Sequence, residues 1–178
     1  MNILAMYEAQ QWHCPARVLT HLDDISLALD AQGIALLHLE LPATENTAEL
    51  LTQSAALITS QGNSAPGFVL PQQRKGEPGY AQAPSQLDAD DVQVSNGQWL
   101  LLYNGQARLC FAANAGDSAL VLACAPGDLV WLPQDMHWAI APAAGSCCRW
   151  LLLTDSETAL NVRPAQRSNL SELQLLDI

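Results

Sequence analysis

The chain has 178 residues, of which 49% are hydrophobic, so it is long and apolar enough to form one domain with a sizeable core. Eighteen acidic residues against seven basic residues give a formal net charge of -11 at pH 7. This charge repels phosphate backbones and anionic lipid surfaces. We therefore expect neither nucleic acid nor a membrane as a partner, and we expect a small-molecule ligand or substrate instead.

The apolar stretches and the cysteines indicate the cellular compartment of the protein. No stretch approaches the roughly 18 to 20 apolar residues of a membrane helix, and MNILAMYEAQ lacks the basic region of a signal peptide. Five cysteines include the neighbours Cys147 and Cys148, which on a strand would point to opposite faces. We predict a cytoplasmic protein with reduced thiols.

Residues 1–70 have mixed periodicity. The stretch DDISLALDAQG predicts a short helix with Asp23 or Asp24 as its N-cap and Gly33 as its C′ residue. IALLHLEL, residues 34–41, then predicts a strand. TAELLTQSAALITSQG predicts a second helix, and one face of this helix carries Leu50, Leu51, Ser54, Leu57 and Ile58.

A polar stretch with prolines and glycines covers residues 71–90. It has no periodicity and exceeds the usual loop length of about 12 to 15 residues, so we predict either a functional lid or a mobile segment. The tail, residues 156–178, contains SNLSELQLLDI, in which Ser168 or Asn169 would cap a short helix.

Short strands at regular spacing fill residues 91–155, and turn residues separate them. The pairs Asn96-Gly97 and Asn104-Gly105 are typical of type I′ hairpins. This rhythm predicts a mainly β fold, a small antiparallel barrel or sandwich. The predicted strands are VQVS, QWLLLY, ARLCFAA, SALVLACA, LVWLP, HWAIAP and CCRWLLLT.

Two segments carry a resemblance to the cupin family. Gln98, WLLLYN and Gly105 match the end of the first cupin motif, and Gly127, DLVWL and Pro133 match the beginning of the second. In the order and spacing of its segments the chain resembles the acireductone dioxygenases of methionine salvage over nearly its full length. The resemblance implies a single-domain cupin barrel, or double-stranded β-helix, with an α/β N-terminal extension, over residues 1–178.

The acireductone dioxygenases hold iron or nickel with three histidines and a glutamate. The resemblance puts Gln98 at the glutamate position and His137 at the last histidine, four residues after Pro133 where the family has five. If that missing residue belongs to a strand rather than a turn, every following side chain changes its face. His137 also has a structural interpretation, in which its imidazole bonds a backbone carbonyl at the start of a strand.

The first two histidine positions have no histidine in either alignment. With three residues before the glutamate position they fall on Val92 and Val94, and with four they fall on Asp91 and Gln93. Valine has no donor atom and a glutamine carbonyl is a weak ligand, so a tightly held ion is not expected. The polar residues near this mouth, which would form an oxygen-rich site at best, are Asp88, Asp90, Asp91, Gln93, Gln98 and His137.

Arg149 stands where the resembling family has an arginine near its substrate oxygens. A guanidinium in a barrel interior would bind an enolate or a carboxylate, and the alternative is an arginine paired at the surface. Tyr103 and Trp138 are core aromatics that could line an apolar wall. The predicted ligand pocket consists of Val92, Val94, Gln98, Tyr103, His137, Trp138 and Arg149.

The sequence supports two candidate functions, and a third candidate has no motif to support it. The first is a divergent dioxygenase-like oxidoreductase acting on a small oxygen-rich molecule, with His137 and Arg149 as catalytic residues. Its metal residues would be His137 and Gln98, with Fe(II), Ni(II) or Mn(II) as candidate ions. The second is a non-catalytic cupin that binds a small molecule; the third is a protein that binds partners through its acidic surface. Phosphate-loop, G-x-S-x-G, C-x-x-C and H-E-x-x-H motifs are absent, so no other cofactor-binding residues are assigned, and the oligomeric state stays open.

Overall fold

The computed structural model describes residues 2–43, 46–75, 85–87, 91–113, 117–143, 146–160, 163–165 and 168–175. These residues form helices α1 (Leu22–Asp30) and α2 (Thr47–Ser60) and the short 3-10 helices Glu157–Leu160 and Asn169–Glu172. The strands are β1 (Ile3–Glu8), β2 (Arg17–Leu19), β3 (Leu36–His38), β4 (Phe68–Lys75), β5 (Ser85–Gln86), β6 (Gln93–Val94), β7 (Gln98–Asn104), β8 (Ala107–Ala113), β9 (Ser118–Cys124), β10 (Asp128–Leu132), β11 (His137–Pro142), β12 (Cys147–Thr154), β13 (Arg163–Pro164) and β14 (Gln174–Leu175).

The strands form two large antiparallel sheets. One has seven strands in the order β13-β6-β11-β8-β9-β1-β2, and the other has five in the order β3-β10-β7-β12-β4; β14 and β5 form a small pair. The predicted mainly β fold is confirmed. Of the predicted barrel or sandwich, the structure has two sheets that do not close into a barrel, because in the described ranges no hydrogen-bonded ladder joins them. Strand rhythm in a sequence does not show whether the outermost strands pair with each other.

The central strands of both sheets are buried on both faces. The central core lies between them and includes Leu100, Phe111 and Trp138. The C-terminal segment packs on the outer face of the seven-stranded sheet, and α2 packs on the outer face of the five-stranded sheet. Double burial explains why strands such as QWLLLYN are nearly continuous apolar runs rather than alternating ones.

The N-terminal part partly follows the prediction. Helix α1 is present, but its N-cap is His21, and Asp23 and Asp24 lie in its first turn, where acidic side chains complement the positive end of the helix. Gly33, with φ of 72°, lies one residue beyond the C′ position. The strand expected over residues 34–41 is limited to β3. Strand β1 was not predicted, and it pairs with β9 over six residues.

Helix α2 confirms its prediction closely. The Asn46 side chain caps it by accepting a hydrogen bond from the Ala48 N–H at 2.9 Å. Leu50, Ser54 and Ile58 are buried, as the helical spacing predicted. Neither α1 nor α2 is long and apolar enough to cross a membrane.

The segment predicted as a long loop begins as a strand. β4 continues to Lys75 and pairs with β12 along its whole length, from Phe68 opposite Thr154 to Lys75 opposite Cys147. Its polar residues fit an edge strand, where charged side chains prevent pairing with other molecules. Residues 76–84 and 88–90, which include Asp88 and Asp90, lie outside the described residues.

The predicted Asn-Gly hairpins are wrong, although the turns exist. Gly97 and Gly105 have φ of 79° and 78°, but neither Asn96 nor Asn104 has a positive φ, which a type I′ turn requires at both positions. Each turn connects strands of different sheets, β6 to β7 and β7 to β8. A Cβ atom at position 105 would collide with the Cys147 carbonyl, so the crossing requires glycine there.

Ser95 holds the crossing between β6 and β7. It is fully buried, its hydroxyl donates to the Leu132 carbonyl at 2.9 Å, and the same oxygen accepts from the Gly97 N–H at 3.1 Å. Its backbone N–H donates to the Met136 carbonyl, and its carbonyl accepts from Arg163 Nη2 at 3.0 Å. One residue therefore connects the β10–β11 turn to the C-terminal segment.

The tail confirms the predicted cap. The Ser168 hydroxyl accepts a hydrogen bond from the Leu170 N–H at 3.3 Å, and the helix that follows is a 3-10 helix. Leu170 is buried against the outer face of the seven-stranded sheet.

We expect Ser95→Ala to lower the free energy of unfolding by about 1 to 3 kcal/mol, because the buried Leu132 carbonyl and the part-buried Gly97 N–H lose the Ser95 hydroxyl as a partner. Urea denaturation followed by circular dichroism measures the loss. Ser60→Ala is the control, since Ser60 is an exposed serine whose hydroxyl donates to Leu57. Equal losses in the two variants would contradict the role assigned to Ser95.

Candidate functional site

The strand register decides which residues face the interior. On β11, Trp138 belongs to the central core, so His137 before it lies on the opposite, outer face. His137 pairs with Val94, and Val92 belongs to the outer cluster under the C-terminal segment. The interval between Pro133 and His137, one residue shorter than in the resembling family, lies in the turn before β11. His137 nevertheless faces outwards at the start of that strand.

The two alignments of the first motif place different residues at the histidine positions. In the structure the residues of the second alignment, Asp91 and Gln93, face the interior. Gln93 pairs with Trp138, and directly opposed residues of neighbouring strands share a face. Asp91, two residues earlier, lies on the same side and accepts a hydrogen bond from Arg74 Nη2 at 2.6 Å. The interior positions in this region are therefore an aspartate, a glutamine and a tryptophan.

Arg74 spans the opening between the two sheets. It lies on β4, at the edge of the five-stranded sheet, and its Nη1 donates to the Ile140 carbonyl of the other sheet at 3.0 Å. The Arg74 and Asp91 side chains keep 35% and 21% of their surface exposed, so solvent reaches them. We call this opening, with Arg74, Asp91, Gln72, Gln93, Trp138 and Trp150 around it, the mouth.

Two tryptophans reach the core behind Arg74. Trp138 is two residues from Ile140 on β11, and Trp150 is two residues from Cys148, the cross-strand neighbour of Arg74. A strand rises about 6.5 to 7 Å over two residues, so this is the backbone separation of each tryptophan from a residue beside Arg74. Both indole Nε1 atoms are buried and have no hydrogen-bond partner among the described residues.

The other predicted pocket residues lie elsewhere. Tyr103 packs in the outer cluster beneath α2, and Arg149 is exposed on the same side of β12 as Leu151 of that cluster. Gln98 is buried and faces inwards beside Leu100 of the central core. The seven predicted residues are thus divided between the interior and two outer faces. Only Gln98 and Trp138 face the interior.

The residues at these positions do not fit the metal centre that the resemblance implies. In the described part of the chain, no three His, Cys, Asp or Glu side chains are grouped closely enough to hold an ion. Among the described residues of the mouth, Asp91 is the only carboxylate, and Arg74 already pairs with it. His137 and Gln98, predicted as metal residues, lie on different sheets with His137 facing outwards.

A second concave site lies outside the sheets, between the end of α2 and the ends of β7, β10 and β12. This cleft has a volume of about 170 Å³ and is partly open to solvent. Trp99 and Trp131, directly opposed on β7 and β10, have ring centroids 5.5 Å apart and planes inclined by 54°. The cleft is lined by Asn63, Ser64, Pro66, Gly97, Trp99, Trp131, Thr154 and Asp155.

The cysteines separate into exposed and buried thiols. Cys14 is exposed and Cys147 is half-buried, whereas Cys110, Cys124 and Cys148 are buried. Burial raises the pKa of Cys110 to about 12, and burial together with the neighbouring Cys147 raises the pKa of Cys148 to about 11. These thiols stay protonated at neutral pH and are poor nucleophiles.

Sequence reasoning missed Arg74 and Trp150 as residues of the mouth. Arg74 lay in a segment predicted to be a loop, and only the alternation of FVLPQQRK gave a sign of a strand. Trp150 is a core residue, and only the tertiary packing shows that its N–H has no partner among the described residues.

Comparison with known proteins supports the fold alone. No protein-family model matches the chain, and no curated protein matches it either. Among solved structures, acireductone dioxygenase from Bacillus anthracis with cadmium ion in active center is similar, with a TM-score of 0.62 and 11% sequence identity. The similarity covers 89% of this chain and 96% of that chain. The chain therefore has a cupin-like fold.

We expect a thiol reagent at pH 8 to modify Cys14 rapidly, Cys147 more slowly, and the three buried thiols only after unfolding in guanidinium. Cys14→Ser should remove the rapid phase. Rapid reaction of a third thiol in the native protein would contradict the assignment of Cys110, Cys124 and Cys148 as buried.

The buried thiols also make the stability depend on pH. Since an ordinary thiol has a pKa of 9.0 and the buried thiols ionise only at higher pH, ionisation favours the unfolded chain above pH 9.0. Stability should therefore decrease as the pH rises from 9.0 towards 11.

Proposed function

We propose that this cupin-like protein binds a small oxygen-rich molecule at the mouth without a tightly held transition metal. The observation that carries the proposal is the pair of buried indole N–H groups, those of Trp138 and Trp150, which have no hydrogen-bond partner in the described part of the chain. A buried donor without a partner costs about 1 to 3 kcal/mol, so acceptor oxygens placed there would recover free energy. Carboxylates, enediols and 2-oxo acids offer such oxygens.

Arg74 supplies the charge for this ligand. Its guanidinium is partly exposed at the mouth and binds Asp91 through one terminal nitrogen and the Ile140 carbonyl through the other. A ligand carboxylate could replace the Asp91 contact, because a guanidinium pairs with any planar anion of this shape. Gln93 and Gln72, the cross-strand neighbours of Trp138 and Trp150, add amide groups on the same sides of their strands.

The divergent dioxygenase-like enzyme remains the second candidate. The structural similarity to an acireductone dioxygenase favours it, and the lack of grouped metal ligands in the described residues weighs against it. In that case His137 would have to act from the seven-stranded sheet, and Gln98 and Arg149 from opposite faces of the five-stranded sheet.

Metal content and ligand binding distinguish the two candidates. We expect less than 0.1 equivalent of metal by plasma mass spectrometry after anaerobic incubation of the tag-free protein with Fe(II), Ni(II) or Mn(II) and desalting. Malonate and ascorbate at millimolar concentration should raise the melting temperature of the metal-free protein, because a ligand that binds only the folded state stabilises it. One retained equivalent of iron or nickel would overturn the proposal in favour of the enzyme.

Arg74→Gln should abolish the shift produced by malonate. Lys75→Gln is the matched control, since it removes the same charge from the next residue of β4, on the opposite face. Equal losses of binding in the two variants would show that the anion responds to the general charge of the edge strand rather than to the mouth.

Trp138→Phe tests the role of the indole N–H. The variant keeps an aromatic ring in the core and removes the unpartnered donor, so we expect weaker ligand binding with a loss of stability below about 3 kcal/mol. Urea denaturation measures the stability, and the ligand-induced melting shift measures the binding. An unchanged shift would show that the ligand does not reach Trp138.

A further inference from the structure

The cleft beside Trp99 and Trp131 carries a carboxylate, whereas the mouth carries a guanidinium. Two indole rings form its apolar wall, and Asp155 is the one charged residue among the described residues that line it. The negative face of an indole attracts a cation, and a nearby carboxylate adds to the attraction. We propose that this cleft is a second binding site and that it takes a small organic cation, of the quaternary ammonium or alkylammonium class.

The aromatic wall is held in place by the backbone. Trp99 and Trp131 are directly opposed in the ladder between β7 and β10, and the Trp131 N–H donates to the Ala35 carbonyl at 2.8 Å. A Cβ atom at Gly97 would lie 3.6 Å from the Trp131 ring, so the chain passes close beside it. Trp99 is buried, whereas Trp131 is half-buried. The wall is therefore rigid and partly accessible from solvent.

The polar side of the cleft is also ordered. The Thr154 hydroxyl donates to Asp155 Oδ1 at 3.5 Å, and the same hydroxyl oxygen accepts from the Ser156 N–H at 3.3 Å. Opposite, the Asn63 N–H donates to the Ile58 carbonyl, which fixes the chain after α2 against the cleft. The Asn63 and Ser64 side chains offer acceptor oxygens for an ammonium or a hydroxyl group.

The charge of the whole chain favours a cation over an anion or a neutral ligand. The formal net charge is -11, and the described residues that line the cleft include neither lysine nor arginine. An anion would meet both the general negative field and the Asp155 carboxylate. The cleft has a volume of about 170 Å³, which limits the ligand to a small molecule such as a short-chain ammonium ion.

Choline and its neutral isostere 3,3-dimethylbutan-1-ol test the proposal, because they have nearly the same shape and differ in charge. We expect choline to quench tryptophan fluorescence saturably and to bind about 5- to 30-fold more tightly than the isostere. Calorimetry of the full chain provides the second measurement. Equal affinities would overturn the proposal in favour of a simple apolar pocket, and tighter binding of a neutral sugar such as glucose would also overturn it. Lack of saturation at 100 mM choline would exclude the site.

Variants separate the aromatic contribution from the ionic one. Trp131→Leu should weaken choline binding about 5-fold or more, whereas Trp131→Phe, which keeps an aromatic face, should retain most of it. Asp155→Asn should weaken choline binding and its salt dependence but leave binding of the isostere unchanged. Asp30→Asn, at the exposed end of α1, is the control for the loss of one negative charge. If Trp131→Leu does not fold, Trp131→Phe and Asp155→Asn still test the proposal. Equal effects of Asp155→Asn and Asp30→Asn on choline binding would contradict a cation site in the cleft.

Discussion

The strict alternation of side chains along a strand is the constraint on which the structure depends. Each of the two large sheets is covered on both faces, so every residue of a central strand must belong to one of two apolar layers. Three layers of core therefore arise from a chain of ordinary size. The buried polar residues at the ends of these strands, such as Asp128 at the start of β10 and Ser95 in the turn before β7, need several partners each because they are shielded from water.

Asp128 shows how such a polar group joins distant parts of the chain. Its carboxylate accepts hydrogen bonds from the Asn2 side chain at 2.6 Å and from the Ala125 N–H at 2.8 Å, and it lies 3.1 Å from His38 Nδ1. The N-terminal strand, β3 and the turn before β10 thus meet at one buried carboxylate. Ser95 has a similar role at the other end of β10, where it connects two turns and the C-terminal segment.

The same alternation determines what the candidate site contains. Because Trp138 faces inwards, His137 cannot, and the interior of this cupin-like fold has indole and amide groups where the resemblance implied imidazoles. The arginine of the mouth comes from β4 instead of β12, since Arg149 lies on the outer side of its strand. The molecule consequently has a mouth with a guanidinium and, on the outer face of the five-stranded sheet, a cleft with a carboxylate. These two environments favour ligands of opposite charge.

The sequence by itself determined the strand rhythm from β7 to β12, both helices, the cap of the C-terminal 3-10 helix and the mainly β class. These features depend on local spacing and on the chemistry of caps and turns, which a sequence shows directly. It did not predict that the sheets stay open, that Asn96-Gly97 crosses between sheets, or that Arg74 reaches the Ile140 carbonyl. Those features depend on which strands pair and on the phase of each strand relative to the core. A shift of one residue reverses that phase without changing the local pattern, so only the tertiary structure decided that Trp138 rather than His137 faces the interior.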